Sequence, residues 1–220
     1  MEQNNIVRIY KQNRSAREFA GAYIQYLVSL LEKLDTTAIA SFIGELEDAR
    51  RTSKSVFVIG NGGSAGTASH MANDIGLDVM KKSGTDTPFR IISLTDNIPV
   101  ITAIGNDEGY ENVFVYQLKI LYGSMDKLVV ISASGNSPNV VAAANWVKKR
   151  GGTVIGLLGF DGGALKDICD VCILVETPKG EYGPVEDIHM IFDHLASNYL
   201  QNKVGEEMQY GSGDRNEETS

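Results

Sequence analysis

Residues 56–80 read VFVIGNGGSAGTASHMANDIGLDVM, and the fold turns on them. Val56–Ile59 is an unbroken apolar run, which reads as a buried strand over 56–60. Gly60, Asn61, Gly62 and Gly63 follow at once, then Ser64 and a helix-compatible segment over 64–76. A strand, a glycine turn and a helix start form a ready anion site, because glycine lets the backbone approach a ligand and the first helical N–H groups have no partner inside the helix. The same predicted helix carries His70 and Asp74, four residues apart and so on one face. The turn matches neither the dinucleotide fingerprint GxGxxG nor the phosphate loop GxxxxGK[ST].

Outward from this stretch the chain alternates. Apolar runs predict strands over 89–94, 127–132, 153–158 and 171–175. Between them lie helical segments: one beginning near Pro99 and interrupted at 104–107, then 110–121, 138–150, and a short helix ending near 168. A polar loop is expected over 81–88, and a last helix over about 185–200. Strands rich in Val, Ile and Leu, separated by helices, predict an α/β fold with a parallel sheet covered on both faces. Before the first strand, Phe19, Tyr23, Tyr26, Leu27, Leu30, Leu31 and Leu34 recur at helical spacing. After Asp35, a plausible cap, Ile39, Phe42, Ile43, Leu46 and Ala49 do the same. Residues 1–14 read as a short arm or a first helical turn. The chain thus divides into an N-terminal helical segment over 1–54, an α/β domain over 55–201 and a polar stretch over 202–220 that is expected to be a mobile tail.

In parallel sheets, ligands bind beyond the C-terminal ends of the strands. A second turn lies there: Ser132, Ser134 and Ser137, with Gly135 between them and Pro138 suited to the first turn of a helix. Hydroxyls and free N–H groups at two such turns, with Asn61, Gly62 and Ser64 at the first, suit the peripheral oxygens of a phosphate. No acidic motif for a magnesium–nucleotide accompanies them, so a phosphorylated sugar is the more natural ligand. Glu186 and His194 lie on the last helix, eight residues or about 800° apart, and share one broad face. His70, Asp74, Glu186 and His194 could move protons between adjacent carbons, or hold a divalent metal through two imidazoles and two carboxylates.

Composition narrows the classes further. Apolar content of 43% supports a substantial core, and a formal charge of -8 argues against a broad nucleic-acid surface. Cys169 and Cys172 form a CxxC at the start of a strand rather than of a helix. They read as free thiols and imply a reducing, cytoplasmic compartment. The leading residues MEQNNIVRIYKQN show no signal peptide, and no apolar run is long enough to predict a membrane span.

The run GNGGSAGTASHMANDI (60–75), with SASGNSPNV (132–140), EDIHMIFDH (186–194) and TDNIPVITAIGNDEGYENVF (95–114), resembles the sugar isomerase (SIS) domain family, and within it the phosphoheptose isomerases. The resemblance implies a three-layer sandwich with a five-stranded, flavodoxin-like parallel sheet, and N-terminal helices that help build a homotetramer with inter-subunit sites. It implies interconversion of sedoheptulose 7-phosphate and D-glycero-D-manno-heptose 7-phosphate for surface-glycan heptose. It also implies one divalent metal per site, zinc above others. Ser64, Ser132, Ser134 and Ser137 fall at its phosphate-binding positions, Asp96 at a polar position after the second strand, and His70 and His194 at its histidines. Asp74 stands where glutamate is usual and Glu186 where glutamine is usual. Ala133, Asp78 and Gly183 depart from the usual threonine, arginine and aspartate. These departures leave room for an isomerase of another phosphosugar, or for a non-catalytic, replication-associated binding protein.

Overall fold

The computed structural model describes residues 4–211. Three helices precede the sheet: α1 (Asn5–Gln12), α2 (Ala16–Leu31) and α3 (Thr36–Arg51). Each begins at a side-chain cap. Asn4 accepts from the Val7 N–H, Ser15 and Glu18 form a reciprocal capping box, and Asp35 accepts from the Thr37 N–H at 2.8 Å. The arm before Ser15 is therefore a helix in its own right.

Five strands follow: β1 (Ser55–Ile59), β2 (Arg90–Ser93), β3 (Lys127–Ser132), β4 (Thr153–Gly159) and β5 (Val171–Val175). All pair in parallel, in the order β2-β1-β3-β4-β5. The five-stranded flavodoxin-like sheet expected from the resemblance is present. Alternate residues feed two cores. Val56, Val58, Val129, Ile131, Ile155 and Leu157 face α3, α4 (Gly63–Met71) and α9 (Tyr182–Gly211). Phe57, Ile59, Leu128, Val130, Val154 and Leu158 face α7 (Val113–Leu121) and α8 (Pro138–Lys148). Phe42 of α3 meets Phe192 of α9 edge-on, with ring centroids 4.8 Å apart, which fixes α9 against the sheet face that α4 also covers.

Four expectations change. The helix after β1 does not stop near residue 76. It widens into π-helical turns over Ala72–Asp78 and continues as α5 (Val79–Ser83), where Lys81 and Lys82 in the last turn pair with Asp78. The polar loop expected from residue 81 is correspondingly shorter. The interruption expected at 104–107 is not there: α6 (Ile98–Asp107) runs through Gly105, because one glycine weakens a helix without breaking it. Of the helix expected over 110–121, only α7 is α-helical, and Tyr110–Asn112 is a 3-10 turn. The last helix begins at Tyr182, with Gly183 and Pro184 in its tolerant first turn, and continues to Gly211. Its extension runs through 202–211, read above as a mobile stretch. There Val204 enters the core, and Glu207 pairs with the largely buried Arg50 at 2.8 Å. The remainder of that stretch, 212–220, lies outside the described residues.

Candidate active site

The strand order places β1 between β2 and β3, so the chain crosses over β1 on its way from β2 to β3. The helix after β1 covers one face and the helix after β3 the other, which opens a crevice between the two strand ends. Both predicted phosphate turns line that crevice. Together with α9 they enclose a cavity of about 150 Å³ lined by Asn61, Ser64, Ser132, Ser134, Ser137, Tyr182 and Glu186, among others.

Both helices start there without a side-chain cap. Gly62 caps α4 with no side chain, and the Ser137 hydroxyl does not bond to the first turn of α8. The Gly63, Ser64 and Asn139 N–H groups and the Ser137 hydroxyl remain available to an anion, whereas the Val140 N–H is taken up by Asn139 Oδ1 at 3.0 Å and Pro138 has none to offer. Ser132 is buried; its Oγ accepts from the Gly135 N–H at 3.1 Å and lies 3.5 Å from Ser137 Oγ. Gly135 has φ +63° and its missing Cβ would overlap the Gly162 carbonyl, so the tight serine turn requires glycine. Ser134 Oγ accepts from the Asn136 N–H at 3.3 Å, and Ser64 is buried at the start of α4. Asn61 exchanges two hydrogen bonds with the buried Asn139, at 2.8 and 2.9 Å, and accepts a third from Tyr110 at 3.1 Å. Asn61 is braced rather than free. Ala133 packs with Phe160, Val185 and Ile188, where a hydroxyl would meet apolar neighbours.

Glu186 stands at this end of the crevice. Its carboxylate lies so close over Gly63 that any Cβ at residue 63 would overlap it. Burial, and then the charge of Asp187, push the Glu186 carboxyl above its ordinary range.

The histidines lie farther along the same two helices. Seven residues of α4 separate Gly63 from His70, and eight of α9 separate Glu186 from His194, or about 10 and 12 Å of helix rise. His70 Nδ1 lies 3.4 Å from Asp74 Oδ2, and His194 Nε2 lies 3.8 Å from the same oxygen. The two imidazoles meet edge-on with centroids 5.1 Å apart. Ligand atoms of His70, Asp74 and His194 fall within 4.8 Å of one another. Two imidazoles and a carboxylate at that spacing could hold a metal ion. Glu186, the fourth expected ligand, is not in this group. Asp74 reaches both histidines from the π-helical turns, a local widening of the kind that recurs at functional sites.

A residue not singled out from sequence joins them. Asp193 is fully buried, and its Oδ2 lies 3.0 Å from His70 Nδ1. Burial, with the nearby Asp74 charge, raises its carboxyl to about 6 against the opposing pull of His70. The available signal was pattern: Val185, Ile188, Phe192, Ala196 and Leu200 form the apolar stripe of α9, and Asp193 interrupts it. Asn139, equally hidden in the sequence, is a buried amide whose role appears only through Asn61.

Two other polar residues stand apart. His189 faces the core, where its Nε2 lies 3.2 Å from the Leu158 carbonyl oxygen and burial lowers it to about 4. Asp96 is exposed at the end of β2; it accepts from Ser69 and Thr95 and lines a different cleft with Asn97 and Gln117. Cys169 and Cys172 are free and half-buried, and burial lifts the Cys169 thiol to about 12. A larger cleft of about 610 Å³ lies between α2 and the loop after β5. Its charged residues are mixed in sign, and it holds none of the candidate site residues.

The SIS domain model matches residues 22–159. A phosphoheptose isomerase from Trichlorobacter lovleyi is 34% identical over 197 residues, covering 86% of this chain and 98% of that protein. The chain belongs to the phosphoheptose isomerases of the SIS domain family. A second member, from Geobacter metallireducens, is 38% identical and covers 84% of this chain and 94% of its own length. The phosphoheptose isomerase structure from Neisseria gonorrhoeae superposes with a TM-score of 0.74 at 27% identity, covering 86% of this chain and all of that one. The SIS domain match ends at β4, before α9, so Glu186, Asp193 and His194 lie outside it. No helix among the described residues is long and apolar enough to cross a membrane.

Proposed function

We propose that this SIS-domain isomerase interconverts sedoheptulose 7-phosphate and D-glycero-D-manno-heptose 7-phosphate, in the cytoplasm, for the heptose of surface glycans such as lipopolysaccharide. The observation that carries the reading is the two-ended crevice. Uncapped helix starts and Ser64, Ser132, Ser134 and Ser137 mark one end, and His70, Asp74 and His194 the other. Their separation of about 10–12 Å along the helices matches the scale of an open-chain sugar with its phosphate at the far end from its carbonyl.

The chemistry is a proton shift between adjacent carbons. The serine turns bind the phosphate, and binding energy spent there orients C1 and C2 at the other end. Asp74 removes the proton from the carbon beside the carbonyl, while His194 protonates the carbonyl oxygen, giving a cis-enediol. Asp74 then returns the proton to the neighbouring carbon, and His194 recovers its own from the adjacent hydroxyl. Glu186, set beside the phosphate seat rather than near the histidines, serves as a substrate contact and not as the base. His70, Asp74 and His194 would hold one zinc ion, which when bound would polarise the carbonyl and hydroxyl oxygens; Asp74 and His194 would then exchange protons only through the oxygen and nitrogen that the metal leaves free.

The protein is further proposed to act as a homotetramer with sites shared between subunits. Ile191, Leu195 and Tyr199 form an exposed apolar stripe on α9 beside His194, and Ile24 and Val28 are exposed on α2. The test is incubation of the purified, assembled protein with sedoheptulose 7-phosphate and zinc, following the aldose phosphate. Conversion supports the reading, and its complete lack sinks it. One observation favours a related substrate: the Glu186 carboxylate beside the phosphate seat would suit a sugar presenting an additional donor there. Parallel assays with five- and six-carbon ketose phosphates separate the two.

A further inference from the structure

The least expected group in the crevice is Asp193. It occupies the core-facing stripe of α9 and is fully buried, where an ionisable group is costly unless paired. Its Oδ2 lies 3.0 Å from His70 Nδ1, and its Oδ1 has no hydrogen-bond partner. The charged and titratable groups acting on it are His70, Asp74 and His194. Asp74 Oδ2 also approaches His70 Nδ1, at 3.4 Å, and is shared with His194.

Two carboxylates therefore converge on one nitrogen. A lone pair on Nδ1 would face both, whereas an N–H there satisfies them. We infer that Asp193 is a positioning residue that holds His70 with its proton on Nδ1 and so leaves Nε2 as the basic atom. The inference rests on the proposed reading of His70, Asp74 and His194 as the reacting end. In that setting Nε2, not Nδ1, meets the sugar oxygens or a divalent cation, and the buried carboxylate makes it a stronger donor. Asp74 is the more exposed of the two carboxylates and is shared between two rings.

Two-bond proton–nitrogen spectra of nitrogen-15-labelled protein, without added metal, read the tautomer directly, with His70 assigned through His70→Gln. The expected wild-type spectrum has a protonated Nδ1 and a bare Nε2, and titration with Zn²⁺ alone perturbs Nε2 while the Nδ1 proton remains. Asp193→Asn, nearly isosteric, and Asp193→Leu, which suits the apolar stripe, should mix the tautomers. Each should weaken Zn²⁺ binding by about 10–100-fold. In both variants kcat falls while KM for the sugar phosphate holds. A bare Nδ1 in the wild type, or a zinc-bound Asp193 oxygen, overturns the inference whatever the variants do. So does an unchanged tautomer and Zn²⁺ affinity in either folded variant. The tautomer and Zn²⁺ readouts use no substrate, so a failed isomerase assay and a failed tautomer result remain distinguishable.

Discussion

The two ends of the crevice are made in different ways. The serine end is local: each turn follows a strand, and the next helix starts within a few residues. Backbone N–H groups and short hydroxyls make up the proposed phosphate seat, so little side-chain reach is needed. The histidine end is tertiary. His70 and Asp193 are 123 positions apart, and they meet only because α4 and α9 pack on the same sheet face. On the proposed reading the first end holds the phosphate and the second moves protons, so damage to each should read out differently.

The largest effect is expected at the histidine end. His194→Gln should lower kcat by about 10²–10⁴-fold, the usual contribution of a positioned acid or base, with KM and the thermal midpoint nearly unchanged. Steady-state kinetics on sedoheptulose 7-phosphate check this; an unaltered kcat would remove His194 from the chemistry. At the serine end Ser137→Ala should instead raise KM by roughly tenfold, as for one lost hydrogen bond to a charged group, and spare kcat. A fall in kcat alone would erase the contrast between the ends.

Glu186→Gln sharpens the division. Removing a carboxylate from beside the phosphate seat should lower KM severalfold, because a like charge there opposes the dianion. A collapse of kcat in this variant would instead make Glu186 the base. The smallest effect concerns stability and comes from outside the crevice. The His189 imidazole is held to about 4 by burial, below its unfolded value, so its neutral form favours the fold. That contribution is full above pH 6.5 and disappears as pH falls towards 4. Urea midpoints across that window should decline for the wild type, and less steeply for His189→Gln. Equal slopes would show that His189 does not carry the effect.

Much of this was legible early, and the reasons are physical. Strand runs such as Leu128–Ile131 are apolar on both faces because both faces are covered, so period and composition sufficed for the sheet. The helix start at Asp35 was readable because capping is a short-range bond. The π-helical turns over Ala72–Asp78 were not readable, since the wider turn leaves no distinct residue pattern. The length of α9 was missed because its last turns are polar, and Arg50, far away in sequence, holds Glu207. Glu186 illustrates the limit most clearly. Spacing placed it on the same helix as His194, yet two helical turns of rise carry it to the phosphate end.

The sequence by itself determined the parallel α/β sheet, the two anion-friendly turns and the identity of the ionisable residues, because these follow from local periodicity, glycine placement and residue chemistry. Only the tertiary structure decided which of those residues meet. It brought His70, Asp74 and His194 together, sent Glu186 to the serine turns, turned His189 into the core and Asp193 onto His70. The physical reason is that contact between two helices depends on their azimuth and offset. Those are set by the packing of residues such as Phe42 against Phe192, far from the site in sequence.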